Sequence, residues 1–474
     1  MMNKAIPERS PRMWNLPKCT WRCVALGALT LSVVILTAPP TAFSAEPNTT
    51  PTFTKDIAPI FQAKCETCHR TDSIAPMSFV TYEETRPYVR AIKDRVASRQ
   101  MPPWHIDKTI GIQKFKNDRS LSDEQIDTIV RWVDGGAPKG DLKDMPPAVQ
   151  WPSEQGWNFA SLFGQTEPDL IIRSTPYLQK AGAQDAWWKP TVSTGLTEAR
   201  WVRAIEIRPA TVKGRKIVHH AIARLQQSEA NAPPEVRDDD AVTAGAAAGG
   251  AASTGTFMEW AVGKQGELMR PNSGKLMLPG SRIVWDIHFS DGKEDITDVV
   301  ELGIYFYPKG QEPKYRQTLS LWSAGGIDIA PNEVKVTQAI RTMTRAGRIE
   351  SIQPHMHLRG KAMMLEAITP NGQRQVLSYV NDFNFNWHNS YVYADDVAPL
   401  LPKGTTIIVT AWHDNTIAKK SNPDPTQWVG YGDRTVDEMA HAWVNVTYMS
   451  DEDYLAEVSA RKAAAANTQQ AQAR

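Results

Sequence analysis

His355-Met356-His357 sets two imidazoles two residues apart. On a β-strand, positions i and i+2 face the same way. On a helix they diverge by about 200°. A strand here therefore aims both rings at one point, as a metal ion requires, and Gly360 supplies the turn that follows. Taken alone, the pair is equally compatible with two core or surface histidines. His219-His220 is a second pair, in the strand-like stretch Lys216–Ile222. Adjacent strand residues face opposite ways, so these two can serve one ion only where the strand bends or bulges. His288, inside the apolar run Ile283–Phe289, reads by itself as a core histidine with a satisfied hydrogen bond.

Cys65-Glu66-Thr67-Cys68-His69 is Cys-x-x-Cys-His, the attachment signature of c-type haem. The thiols bond to the haem vinyl groups and the histidine supplies the proximal imidazole. A redox dithiol requires a βα context and not the histidine. A zinc site requires a further Cys or His pair nearby, and no second cysteine pair follows. Met101 is the expected sixth haem ligand, because Pro102 and Pro103 restrict its loop. Met77 and His105 are the rivals.

Two helices must hold this motif. Phe53–Phe61 reads as one leading into it. Leu121–Val133 reads as a capped amphipathic helix, apolar at 126, 129, 130 and 133 and stopped by Asp134-Gly135-Gly136. Residues 50–145 are thus expected to form a small all-α domain resembling cytochrome c. Residues 140–165, with Pro, Trp and Gly and no clear period, read as a packed linker. From Pro168 onward, short segments such as Trp201–Arg208 and Val409–Trp412 read as strands between turns. Asp238–Asp240 and the Ala/Gly tract Ala244–Ala252 read as a flexible surface insertion. Residues 456–474 read as a flexible tail.

The 474 residues carry a net charge of +1 and are 41% hydrophobic, which fits two to four globular domains. That balance gives no argument for a nucleic-acid partner. Lys4, Arg9, Arg12, Lys18 and Arg22 precede an apolar run, Val24–Ala38, and small residues at Ala42, Ser44 and Ala45. This reads as a secretory signal over 1–45, cut after Ala45. The run is short for a stable span and no second one follows. The expectation is an exported protein, periplasmic in a Gram-negative bacterium, with no stable membrane span after cleavage. Cys19 and Cys23 fall in the signal, so if Cys65 and Cys68 hold haem no structural disulfide remains possible.

Four elements, in this order, resemble the type II copper, ascorbate-dependent monooxygenases, the group that includes the peptidylglycine α-hydroxylating and dopamine β enzymes. They are Val218-His219-His220, Asp286-Ile287-His288-Phe289, His355-Met356-His357-Leu358-Arg359-Gly360-Lys361 and Asp437-Glu438-Met439. The resemblance covers roughly residues 165–455. It implies a mostly β chain in which the haem domain precedes two antiparallel jelly-roll β-sandwiches, at 165–312 and 313–455. It implies two copper ions. His219, His220 and His288 would hold the electron-transfer copper; His355, His357 and Met439 would hold the copper that binds oxygen. Three imidazoles suit Cu, Zn or Ni, and two imidazoles with a soft thioether favour Cu(I). The chain departs from the animal enzymes in lacking their disulfides and in carrying the haem domain. A cupin, the competing His-x-His fold, needs an acidic ligand a few residues on, and Glu366 is too distant.

The expectation is an exported monooxygenase that hydroxylates a small molecule or peptide with O2. One haem c would pass it electrons from an external donor. The alternatives are a periplasmic electron-transfer or copper-handling protein without hydroxylase activity, or a β-sandwich whose histidines are structural. His388, His413 and His441 are left over as core or surface residues, with a supporting role open for His413.

Overall fold

The computed structural model describes residues 50–71, 73, 75–151, 156–237, 253–290 and 292–472. The expected signal segment and the Ala/Gly tract lie outside these residues. Helix α1 (Ala58–Lys64) runs into Cys65, which caps it; α2 (Val89–Ala97), α3 (Asp123–Asp134) and shorter helical turns at Phe53–Ile57, Tyr82–Thr85 and Arg86–Tyr88 make up the rest of this helical part. Ser122 and Gln125 cap α3 reciprocally, each side chain bonding the other's backbone N–H. Aromatic residues at helical spacing close this core: Trp132 lies against Phe53 and Phe61, and Phe61 against Phe79.

The rest is mostly β, and its central strands, such as Val300–Phe306 and Ala346–His355, are buried along their whole length. The first β region comprises β1 (Leu170–Arg173), β2 (Ala186–Trp188), β3 (Arg200–Pro209), β4 (Val218–Gln227), β5 (Ser253–Ala261), β6 (Ser273–Met277), β7 (Arg282–Phe289) and β8 (Val300–Phe306). The second comprises β9 (Tyr315–Ser323), β10 (Val334–Thr342), β11 (Ala346–His355), β12 (Gly360–Ile368), β13 (Arg374–Val380), β14 (Thr406–Asp414) and β15 (His441–Met449). One ten-stranded sheet, in the order β1-β8-β3-β6-β9-β15-β11 with short strands added, crosses both regions. Its join is a short parallel pairing, Ser273 with Tyr315 and Gly274 with Arg316. In each region a second sheet packs on this one across a separate apolar core. These sheets are β2-β7-β4-β5 in the first region and β10-β14-β12-β13 in the second.

Strand alternation decides where the histidines go. Ala221, Ala223 and Leu225 of β4 enter the first core, so His220 and Ile222 face outward. Ala442, Val444 and Val446 of β15 and Ile352 of β11 enter the second core, so His441, Trp443 and His355 face outward too. These two outward faces meet: Ile222 packs on Leu319, Leu321 and Trp443. The histidines thus occupy a seam between the regions.

Two segments differ from expectation. Residues 101–117 leave the helices and join the second region. Trp104, Ile106 and Phe115 enter its core, and Asp107 and Ile112 donate N–H bonds to the Tyr379 and Leu377 carbonyls at 2.8 and 3.0 Å. Trp104, Ile106 and Phe115 are all buried there, so the attachment is driven by removing large apolar side chains from water. The expected flexible tail is helical, as α4 (Asp451–Gln472). Its residues are strong helix formers, and Glu457 and Arg461 dock it on Arg348 and the Ala398 carbonyl at 2.7 and 2.6 Å. Between the helices and β1 the chain is anchored again: Trp157 and Ala160 pack on Ala204 and Tyr305, and Asn158 bonds Glu206.

Trp104 is the keystone of the 101–117 attachment, edge-on to Tyr391 at 4.7 Å and to Phe115 at 5.8 Å. Trp104→Ala is expected to destabilise the fold by about 3–5 kcal/mol. Denaturant unfolding checks this, and a loss under about 1 kcal/mol would mean the segment is not held by its aromatic side chain.

Candidate metal centre

His219 and His220 converge because β4 bulges there. Along β7, His288 pairs with His220 but Phe289 pairs with Val218, so His219 is the extra residue. Its ring swings to the same side. Nδ1 of His219 lies 3.1 Å from Nδ1 of His220, and one ligand nitrogen from each of His219, His220 and His288 can be chosen so that all lie within 4.8 Å. These three could hold a metal. Trp187 stacks on His288 at 4.8 Å, and the Asp185 carboxylate reaches 3.2 Å from its Nε2.

The other pair is built differently. His355 is the last residue of β11, and His357 lies beyond the strand. Strand periodicity therefore places only His355. His357 is placed by Glu438, whose buried carboxylate accepts backbone N–H bonds from His357, Arg359 and Met439 at 3.0, 2.6 and 3.3 Å. One carboxylate oxygen thereby clamps the His357 and Met439 backbones side by side. Burial pushes the Glu438 pKa up to about 7, against these donors and the Arg359 guanidinium, which pull it down. The His357 Nδ1 faces the Asp437 carbonyl at 3.1 Å, which fixes it as the protonated nitrogen and leaves Nε2 for a ligand. Fully buried Arg359 bonds Asn415 and the Val436 carbonyl, tying the loop that carries Met439 to the β11–β12 turn. Gly360 is needed in that turn: a Cβ would come 2.6 Å from that of Met356 and 2.8 Å from the Phe383 ring.

The two groups are one cluster. The His220 and His355 rings are 5.6 Å apart, and the His355 and His357 rings 5.4 Å. Two histidines that the sequence left over belong to it. His441, paired with His355 across β15 and β11, lies parallel to it at 5.9 Å. His388, on the loop after β13, approaches His355 to 4.7 Å, ring to ring. Neither carries a periodic signal, since one is fixed by register and the other by a loop. His413 sits beneath the site, its Nε2 3.1 Å from the Met439 carbonyl. Among the described residues, His220 Nε2 and His288 Nδ1 are buried without a hydrogen-bond partner. Each such orphan costs on the order of 1–3 kcal/mol, and bare imidazole nitrogens are what a borderline metal takes up.

The haem motif is also positioned. Cys68 and His69 both donate N–H bonds to the Cys65 carbonyl, at 3.0 and 2.9 Å, so thiols and imidazole share one turn. Burial, then Cys68, pushes the Cys65 thiol up to about 12, the reverse of a reactive redox dithiol. His69 stacks on Phe79 at 4.2 Å, and its Nδ1 lies 3.3 Å from the Met77 carbonyl, leaving Nε2 available. These residues fit a covalently held haem. Met77 thereby lies on the side of the ring away from Nε2. Met101 closes the turn after α2 through a bond to the Arg95 carbonyl, and His105 is buried against Tyr391.

No family model matches the chain, and neither does any curated protein. Among solved structures, two of infectious bursal disease virus, strains Gx and Gt, align at 10% and 11% identity. They cover 60% and 61% of this chain and 73% and 76% of theirs, each with a TM-score of 0.16. That likeness carries no structural or functional argument. Among the described residues no helix is long and apolar enough to cross a membrane.

All ten histidines are held below their ordinary pKa, chiefly by burial, with His219, His413 and His441 at about 4. Such a group binds fewer protons in the fold than in the unfolded chain. Its stabilisation is complete above about pH 6.5 and falls as pH drops toward the folded pKa. Glu66, Glu259, Asp298 and Glu438, raised by burial, act oppositely, but they are outnumbered. The metal-free protein should therefore lose stability steadily between about pH 6.5 and 4. Thermal unfolding across that range measures it; stability rising toward pH 5 would contradict the neutral cluster.

Proposed function

We propose that the chain is an exported haem- and copper-containing monooxygenase of the type II, ascorbate-dependent kind, hydroxylating an organic substrate with O2. The observation that supports this most is convergence. The five histidines assigned to two copper ions by resemblance, His219, His220, His288, His355 and His357, meet in one seam, and Glu438 holds Met439 beside His357. In this reading the two β regions are jelly-roll β-sandwiches, and the helices around Cys65-x-x-Cys68-His69 are a cytochrome c domain with Met101 as sixth ligand.

The donor sets suit copper: three imidazoles in one group, two imidazoles with a thioether in the other. Copper bound there would supply one-electron and oxygen chemistry, with haem relaying electrons from an external donor. The reaction balances as R–H, O2, two electrons and two protons giving R–OH and water. The residues' own work is to orient and to exclude water. The Asp437 carbonyl fixes the His357 tautomer, and the bulge at His219 brings three rings to one point. Pro103, two residues after Met101, accepts a bond at 2.9 Å from Asn389, the neighbour of His388. The chain segment carrying the assigned haem ligand is thus joined to the histidine seam, which makes their encounter intramolecular.

The test is metal analysis of the exported protein, followed by oxygen uptake under reducing conditions with candidate substrates. One iron and two coppers per chain, with substrate-dependent uptake, is the expected result. In Met439→Leu the fold should lose only about 1 kcal/mol, while Cu(I) affinity and turnover collapse. Iron without copper would contradict the proposal. Copper with reversible haem redox but no oxygen uptake would make the chain an electron-transfer or copper-handling protein.

A further inference from the structure

We infer that His388 is a sixth metal-ligating imidazole of the seam, sharing an ion with His355. This rests on the copper reading above, which itself assigns no role to His388.

His388 is 2% exposed, on the loop joining β13 to the short strand Tyr391–Val392. The loop is fixed on both sides of it. Trp387 donates to the Asn384 carbonyl at 3.0 Å, and Asn389 donates to the Pro103 carbonyl at 2.9 Å. Phe383 and Phe385 flank the ring, with centroids 5.6 and 5.5 Å away. The ring therefore has few orientations open to it. In the one it adopts, Nδ1 lies 3.1 Å from Nδ1 of His355, with the ring planes at 89°.

Two neutral imidazoles at this distance either hydrogen-bond or ligate together. A hydrogen bond needs complementary tautomers, one Nδ1 protonated and the other bare. In both arrangements His388 keeps a buried Nε2 without a hydrogen-bond partner, so the choice rests on the placement of the two Nδ1 atoms. Joint ligation uses both Nδ1 lone pairs and leaves the proton of His388 on Nε2. The spacing fits: two nitrogens 3.1 Å apart, each at ~2.0 Å from an ion, subtend about 100° there, close to tetrahedral. The same 3.1 Å Nδ1 separation occurs between His219 and His220, in the group that could hold a metal. His388 also faces that group, 5.9 Å from His219 and 6.3 Å from His220. It therefore stands where the two histidine groups meet.

The experiment is copper titration of the parent, His388→Ala and His388→Asn, with pulsed EPR counting imidazoles on protein carrying labelled histidine. The parent is expected to show six imidazoles over two coppers. His388→Ala should lower affinity for one copper by more than ~100-fold, beyond the loss typical of a residue that only supports a ligand. The copper at His219, His220 and His288 should still load, which certifies the fold of the variant. A carboxamide keeps hydrogen-bonding capacity without an imidazole, so His388→Asn should not rescue. Five imidazoles in the parent, unchanged affinity in His388→Ala, or rescue by His388→Asn would each overturn the inference and leave the copper reading standing. A parent that binds no copper would sink both.

Discussion

Seven imidazoles packed against one another, six of them buried and His219 half-buried, are the constraint on which this structure turns. His219, His220, His288, His355, His357, His388 and His441 form an unbroken chain of ring contacts at 4.7 to 5.9 Å. Each is kept neutral, chiefly by burial. Neutral rings still carry lone pairs, and several here have no hydrogen-bond donor to meet them. An apolar seam of the same volume would be more stable. Lone pairs of this kind are what a metal takes up, and the His219, His220 and His288 group could hold one.

The architecture serves that cluster. A sheet continuous through both regions fixes how β4 and β7 face β11 and β15, so His220 opposes His355 without relying on a mobile loop. The bulge at His219, the Glu438 clamp and the Arg359 anchor then settle details that strand geometry cannot. The segment 101–117 performs a second service. It binds the helical part to the second β region through Trp104 and Asn389, next to the cluster. The Cys65–His69 turn and the histidine seam therefore belong to one continuous packed body.

Much of this was legible in the sequence wherever local rules govern. The capping pattern at Ser122 marked α3, and the alternation of 201–208 marked β3. The need for a bulge was evident from two adjacent histidines, and the bulge is there. What the residues did not disclose depends on long-range register or on loops. His441 joins because it lies opposite His355 across two strands, and His388 because aromatic neighbours wedge it in place. Strand periodicity accounted for His355 but not His357, whose position comes from a carboxylate 81 residues away. Residues 101–117 lacked any period, so nothing local separated a loop over the helices from a strap across the second region.

The most direct test is anomalous diffraction at the copper edge from crystals of the copper-loaded protein. Two peaks are predicted inside the seam, one bounded by His219, His220 and His288 and the other by His355 and His357. Peaks elsewhere, or a seam whose rings remain hydrogen-bonded to one another with no metal between them, would contradict the account.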